Sequence, residues 1–273
     1  MLKTFQSTDP NAVVKAESIV NEVRLTQYDY NKPVQFPEPL LTHFSEGRSY
    51  PVAGRGMMGA LLGLEKSGKS FVASELAVSH LTGGTERLNF ELKMDGNMIY
   101  LDTEQSDYFY SATQRRIHDN AGKRGNVPNY TAYHLRRWAP HERILAIEEI
   151  LYTAEGLQCV ILDGLVDLLL DFNSVEQSMA VMQLIMRWSV DLNLLLITVL
   201  HTNKTTGTAR GHLGSLLGQK VEFLLKITQE KRNEYLISNP TGRFLTFPDM
   251  AFSRDEGNGQ AIYLPGKIKH NFL

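Results

Sequence analysis

At 273 residues, 42% hydrophobic and 21% charged, the chain fits one large α/β domain with a modest appendage and can bury a sizeable core. A formal net charge of -2 excludes a global basic field for nucleic acid or membrane, so any DNA contact has to come from a local basic loop. The single Cys159 excludes an intrachain disulfide and suits a reducing compartment.

The first twenty residues lack the basic-then-apolar order of a signal peptide. No apolar run reaches the roughly 18 residues of a membrane span, so a cytoplasmic protein without membrane contact is expected. Residues 11–25 set Val13, Val14, Ile19, Val20 and Val23 among charges, the pattern of a short amphipathic interaction helix. Residues 29–51 carry Pro33, Pro37, Pro39 and Pro51 and read as extended linker. The expected division is therefore a helix and linker in 1–50 and one large domain in 51–273. Apolar, strand-like runs follow at 57–62, 98–101, 131–135, 159–162 and 194–200. Between them, residues 69–81 repeat apolar side chains at helical spacing and stop at Gly83-Gly84. Residues 174–191 open with Ser174 and Gln177 in capping-box spacing. Near-continuous apolar strands alternating with helices predict a mostly parallel sheet covered on both faces. After Val221, turn signals at Asn239-Pro240 and Gly257-Asn258-Gly259 predict antiparallel strands that extend the sheet edge.

The strongest motif is Gly63-Leu64-Glu65-Lys66-Ser67-Gly68-Lys69-Ser70, a G-x-x-x-x-G-K-S loop between a predicted strand and helix. Its glycines let backbone N–H groups turn inward around phosphate oxygens, where a side chain would clash. The helix that follows adds its positive N-terminal end. Lys69 is expected to reach the β- and γ-phosphates of ATP, and the Ser70 hydroxyl to bind Mg²⁺. The second magnesium contact falls to Asp163, which ends the apolar run Cys159-Val-Ile-Leu, because a carboxylate at the end of a buried strand needs a cation or a donor. Asp167 and Asp171 recur beyond it at four-residue spacing and fit a solvated or capping face equally well. Hydrolysis also needs a group that orients or deprotonates water. Asp102 and Glu104 both stand just past a strand's C-terminal end, where open parallel sheets bind ligands, and either qualifies. At the next strand end, His201-Thr-Asn-Lys204 offers a polar cluster able to sense the γ-phosphate. Asn203-Lys204-Thr205-Thr206 begins like the guanine-reading N-K-x-D motif, but Thr206 replaces the aspartate, which argues against GTP.

The order GLEKSGKS, YLDTEQS, ILDGLVDLLLDFN, ITVLHTNK and ARGHLGSLLGQKVEFLLKI resembles the RecA-like P-loop ATPases of the RepA type, hexameric helicases of plasmids and mobile elements, more distantly related to DnaB-type replicative helicases. The resemblance spans about residues 50–250. It implies an α/β fold of RecA-like type, a twisted, mostly parallel sheet with helices on both faces and antiparallel C-terminal strands. It also implies ATP hydrolysis with Mg²⁺ by a ring, a hexamer in this family, acting on single-stranded DNA. Glu104 becomes the base and Asp102 a structural neighbour, while His201 becomes the strand-end sensor. Lys204 and Arg210 fall in the loop that faces DNA in such rings, and Arg243 stands as an arginine finger toward the adjacent subunit. Thr241 occupies the place where relatives often carry a lysine, and Arg210 and Arg232 are rivals for the finger.

Overall fold

A computed structural model describes residues 10–35, 37–84, 87–202, 211–242, 246–257 and 259–264. The chain divides into two units, with the boundary between Phe36 and Pro37. The first contains helix α1, Pro10–Leu25, at the position expected from its pattern. The stretch read as linker is only partly so. Strands β1, Pro39–Ser45, and β2, Arg48–Gly54, form a hairpin within it. Glu46 and Gly47 turn that hairpin with φ of 51° and 73°, the two left-handed residues that match strand twist in a tight turn. The prolines mislead because they sit where a sheet tolerates them. Pro39 is a first strand residue, and Pro51 lies on β2, the edge of a small sheet ordered β2-β1-β4, with β4 at Phe90–Leu92.

His43 of β1 is buried in this small sheet, its ring 4.3 Å from that of Phe247 and 4.7 Å from that of Phe90. Burial pushes its pKa down from 6.5 to about 4, with only partial opposition from the Asn89 backbone. The neutral ring is the form that packs. Below pH 6.5 the unfolded chain takes up a proton that the folded chain refuses, so stability present above 6.5 drains away as pH falls toward 4. The expected loss is about 3 kcal/mol over that window. Denaturant titrations of parent and His43→Phe at several pH values test this. The parent should show the steeper decline, and equal slopes would remove His43 as its source.

The main sheet is ordered β12-β11-β10-β9-β3-β8-β7-β5-β6. Its parallel part comprises β9, Phe223–Lys231; β3, Met58–Gly63; β8, Leu195–His201; β7, Leu157–Asp163; β5, Asn97–Asp102; and β6, Tyr130–His134. Strands β10, Glu234–Gly242, β11, Met250–Arg254, and β12, Ala261–Tyr263, continue it antiparallel. The five strands expected from apolar runs are all parallel members, and the edge extension is antiparallel as expected. β9 differs, pairing parallel with β3. Asn239-Pro240 does not end a strand either. The β9–β10 register slips between Ser238 and Thr241, so the proline is absorbed in a bulge within β10, where no ladder donor is needed.

Strand residues alternate between two cores, which is why the runs are apolar throughout. Leu61, Tyr100, Ile161 and Ile197 face a core with helix α2, Lys69–Thr82. Ala60, Leu101, Leu162 and Leu196 face another with α4, Pro140–Thr153, α5, Val175–Asp191, and α6, Gly211–Lys220. Helix α3, Asp107–Asn120, contributes Ile117 to the first core. The predicted helix ends hold. Gly83 closes α2 with φ 76°, and the Ser174 hydroxyl accepts from the Gln177 N–H at 3.2 Å. The Gln177 side chain accepts instead from the Leu170 and Asp171 amides at 2.9 and 3.1 Å, so it braces the preceding loop.

Candidate active site

The G-x-x-x-x-G-K-S loop runs from the end of β3 into α2, so the phosphate loop lies at the carboxyl edge of the parallel strands. Gly63 is required by space, since a Cβ there would stand 2.3 Å from the Ile227 carbonyl oxygen and from Ser67 Oγ. Gly68 is required by conformation, with φ 94°. Lys69 is buried, and its Nζ donates to the Leu64 carbonyl at 2.6 Å across the loop. Burial pulls its pKa down to about 8, while the carboxylates of Glu104, Asp163 and Glu65 pull the other way. The ammonium thus sits among three acids, poised beside the site where phosphate charge would arrive.

Sheet register brings the other residues to the same edge. Asp102 of β5 pairs with Asp163 of β7, Asp163 with Val199 of β8, and His201 with Gly63. Asp163 is fully buried. Its Oδ2 accepts the Tyr100 hydroxyl at 2.9 Å, while Oδ1 has no partner of ordinary hydrogen-bond geometry among the described residues. Burial, chiefly, and the nearby Asp102 carboxylate push its pKa up to about 6, against the lowering influence of the Ser70 and Tyr100 hydroxyls. A buried carboxylate oxygen left over beside a loop hydroxyl fits a magnesium ion that keeps most of its ligands as water and phosphate.

The two acids of the DTE segment separate cleanly by environment. Asp102 is buried, and its Oδ1 accepts from the Glu104 and Gln105 amides at 3.1 and 2.8 Å. Its carboxylate is consumed in shaping the turn. Glu104 instead faces the cleft, half-exposed, with both oxygens 3.2 Å from His201 Nε2. The His201 hydrogen bond holds the Glu104 pKa below the usual carboxylate range; burial opposes this, and the charges of His201, Lys69 and Arg136 assist it. Glu104 is therefore ionised and able to accept a proton. Asp167 accepts the Thr103 hydroxyl at 3.0 Å, and Asp171 caps its own loop by accepting from the Asn173 amide at 2.8 Å. Both carboxylates serve local structure in these contacts.

A cavity of about 400 Å³ is lined by Lys69, Ser70, Glu104 and His201. Phe71, Arg116 and Arg254 also line it, with the guanidinium groups of Arg116 and Arg254 lying 5.5 and 5.4 Å from the Phe71 ring centre. Arg116, Arg254 and Tyr100 carry no motif signal, because their roles arise only when α3, β11 and β5 are folded against the loop. Lys204, Arg210 and Arg243 lie outside the described residues.

No curated protein matches this sequence significantly. Among solved structures, a chain described as an ATPase domain superposes with a TM-score of 0.60 at 10% identity, covering 94% of this chain and 100% of that one. That likeness is one of fold, and the fold is RecA-like: α/β, with a mostly parallel sheet and antiparallel C-terminal strands. Residues 47–207, which include the phosphate loop, Glu104, Asp163 and His201, match the family model described as an AAA domain, and the chain belongs to that family of P-loop ATPases.

Proposed function

We propose that this chain hydrolyses ATP at the cleft between the phosphate loop and Glu104, and couples hydrolysis to movement on single-stranded DNA as a ring-forming, helicase-like motor. The observation that carries the hydrolytic reading is the Glu104 carboxylate, kept ionised and paired with His201, within Coulombic reach of the loop lysine Lys69. In this reading residues 63–70 wrap the phosphates with backbone N–H groups, and the N-terminus of α2 points at them. Lys69 leaves the Leu64 carbonyl to bridge the β- and γ-phosphates. Glu104 takes the proton of the attacking water, and His201 exchanges its bond to Glu104 for the γ-phosphate. Ser70, with Asp163 as an outer contact, would hold Mg²⁺, which would neutralise phosphate charge when bound.

The motor reading rests on the resemblance of the segments around residues 100–106 and 201–227 to RepA-type helicases. Lys204 and Arg210 are proposed as single-strand contacts in the loop after β8. Arg243 is proposed as the finger that stabilises the neighbouring protomer's transition state in a hexamer. A DNA titration tests the loop directly. Lys204→Ala and Arg210→Ala should each lower the salt dependence of single-strand binding by about 0.7 in log–log slope, with DNA-free ATPase retained. Unchanged slopes would remove the loop from the DNA. ATPase stimulated only by a partner protein, and not by DNA, would favour a non-translocating loader instead.

A further inference from the structure

The catalytic proposal requires Glu104 to be held in place by a turn, residues 102–107, that contains no helix or strand of its own beyond its first and last residues. Two of its restraints belong to the neighbouring strand and to the turn itself. The Thr103 amide donates to the Asp163 carbonyl at 3.0 Å, and Asp102 binds the Glu104 and Gln105 amides. Another comes from an edge strand with no motif. His134 is the last residue of β6 and stands in register with Asp102. Its Nε2 lies 2.7 Å from the Gln105 carbonyl oxygen, the residue next to Glu104, and its Nδ1 lies 3.1 Å from Asp107 Oδ1 at the start of α3. The ring stacks on Tyr110 with centroids 4.8 Å apart at 15°, which fixes its plane.

The chemistry of these partners is one-sided. A carbonyl oxygen only accepts, so Nε2 must carry the proton that makes the 2.7 Å bond. A carboxylate likewise only accepts, so the Nδ1 contact with Asp107 is an ion pair only when the ring is protonated. The charged groups that face the ring are Asp102 from β5 and Asp107 from α3, and the titratable Tyr110 lies beneath it. His134 thus links three elements, β6, the turn and the first residue of α3, immediately beside the carboxylate proposed as the base.

We infer that His134 is a positioning residue for ATP hydrolysis: it clamps the Gln105 carbonyl and Asp107, and so holds Glu104 at the γ-phosphate. This rests on the reading of Glu104 as the base. It touches no nucleotide and acts only through the turn, so its loss should slow turnover without weakening nucleotide binding. A carboxylate that strays by a fraction of an ångström loses much of its advantage, because effective concentration depends steeply on alignment. His134→Phe keeps the ring stacked on Tyr110 and removes both bonds; kcat is expected to fall about tenfold, the equivalent of one net hydrogen bond at the top of its range. The KM for ATP and the affinity for a fluorescent ADP analogue should stay within twofold. His134→Gln retains a donor for the Gln105 carbonyl and should recover most of the rate.

A double-mutant cycle separates this idea from the base assignment. In a Glu104→Gln background, His134→Phe should cost nothing further, since there is no base left to position. If Glu104→Gln is itself slow and His134→Phe adds its full tenfold loss, His134 does not act through Glu104. If Glu104→Gln turns over at the parent rate, the base assignment falls, and the positioning role falls with it. Loss of nucleotide affinity or of melting temperature in step with kcat for His134→Phe, without recovery in His134→Gln, would show a structural residue and overturn the inference.

Discussion

Lys69→Ala should abolish productive ATP use, lowering kcat/KM by about 10³ or more. The substitution removes a buried ammonium of the cleft, the group proposed to bridge the β- and γ-phosphates as negative charge shifts between them. Removing a single preorganised donor from such a site costs about 10² to 10³, and Lys69 carries a full charge in addition. The fold should survive, because the hydrogen bond lost is the one from Nζ to the Leu64 carbonyl in its own loop. Steady-state ATPase assays alongside thermal melting test both halves of the expectation. Turnover within tenfold of the parent by a folded variant would show that hydrolysis does not depend on the loop lysine.

Glu104→Gln should separate binding from chemistry. The amide preserves size and can still contact His201, but it cannot accept a proton, so hydrolysis should slow by about two to four orders of magnitude. Nucleotide should remain bound, because Lys69, Ser70 and the loop amides are untouched. Equilibrium binding of ATP together with single-turnover hydrolysis reads the two effects apart. Asp102→Asn is the informative companion. Asp102 is buried and accepts the Glu104 and Gln105 amides, so its replacement should lower stability as well as rate. Parent-rate hydrolysis by Glu104→Gln would move the base elsewhere.

What could be read from the sequence follows from how narrowly chemistry constrains each part. A loop that wraps phosphate needs glycine where a Cβ would collide, and Gly63 and Gly68 appear at the required spacing. Buried parallel strands read as unbroken apolar runs, so the five core strands and the acids at their ends were visible. Asp102 and Glu104 were indistinguishable by position, and only the direction of each side chain separates them. The small sheet was hidden because its prolines fall on a strand start and an edge. Helix α3 was hidden because its sequence buries only Thr113, Ile117 and Asn120. Residues that meet across long separations left no trace at all. Tyr100 reaches Asp163, and Arg116 and Arg254 converge on Phe71, through the fold alone.

The central claim is that one cleft binds the triphosphate and presents Glu104 to it. A crystal structure of the protein with Mg²⁺ and a non-hydrolysable ATP analogue tests it most directly. The account predicts the β- and γ-phosphates within the 63–70 loop, Lys69 Nζ moved from the Leu64 carbonyl onto them, and Mg²⁺ on the Ser70 hydroxyl. It also predicts the Glu104 carboxylate one water molecule away from the γ-phosphorus. An analogue bound elsewhere, or bound in the loop with Glu104 turned away and no ordered water between, would contradict it.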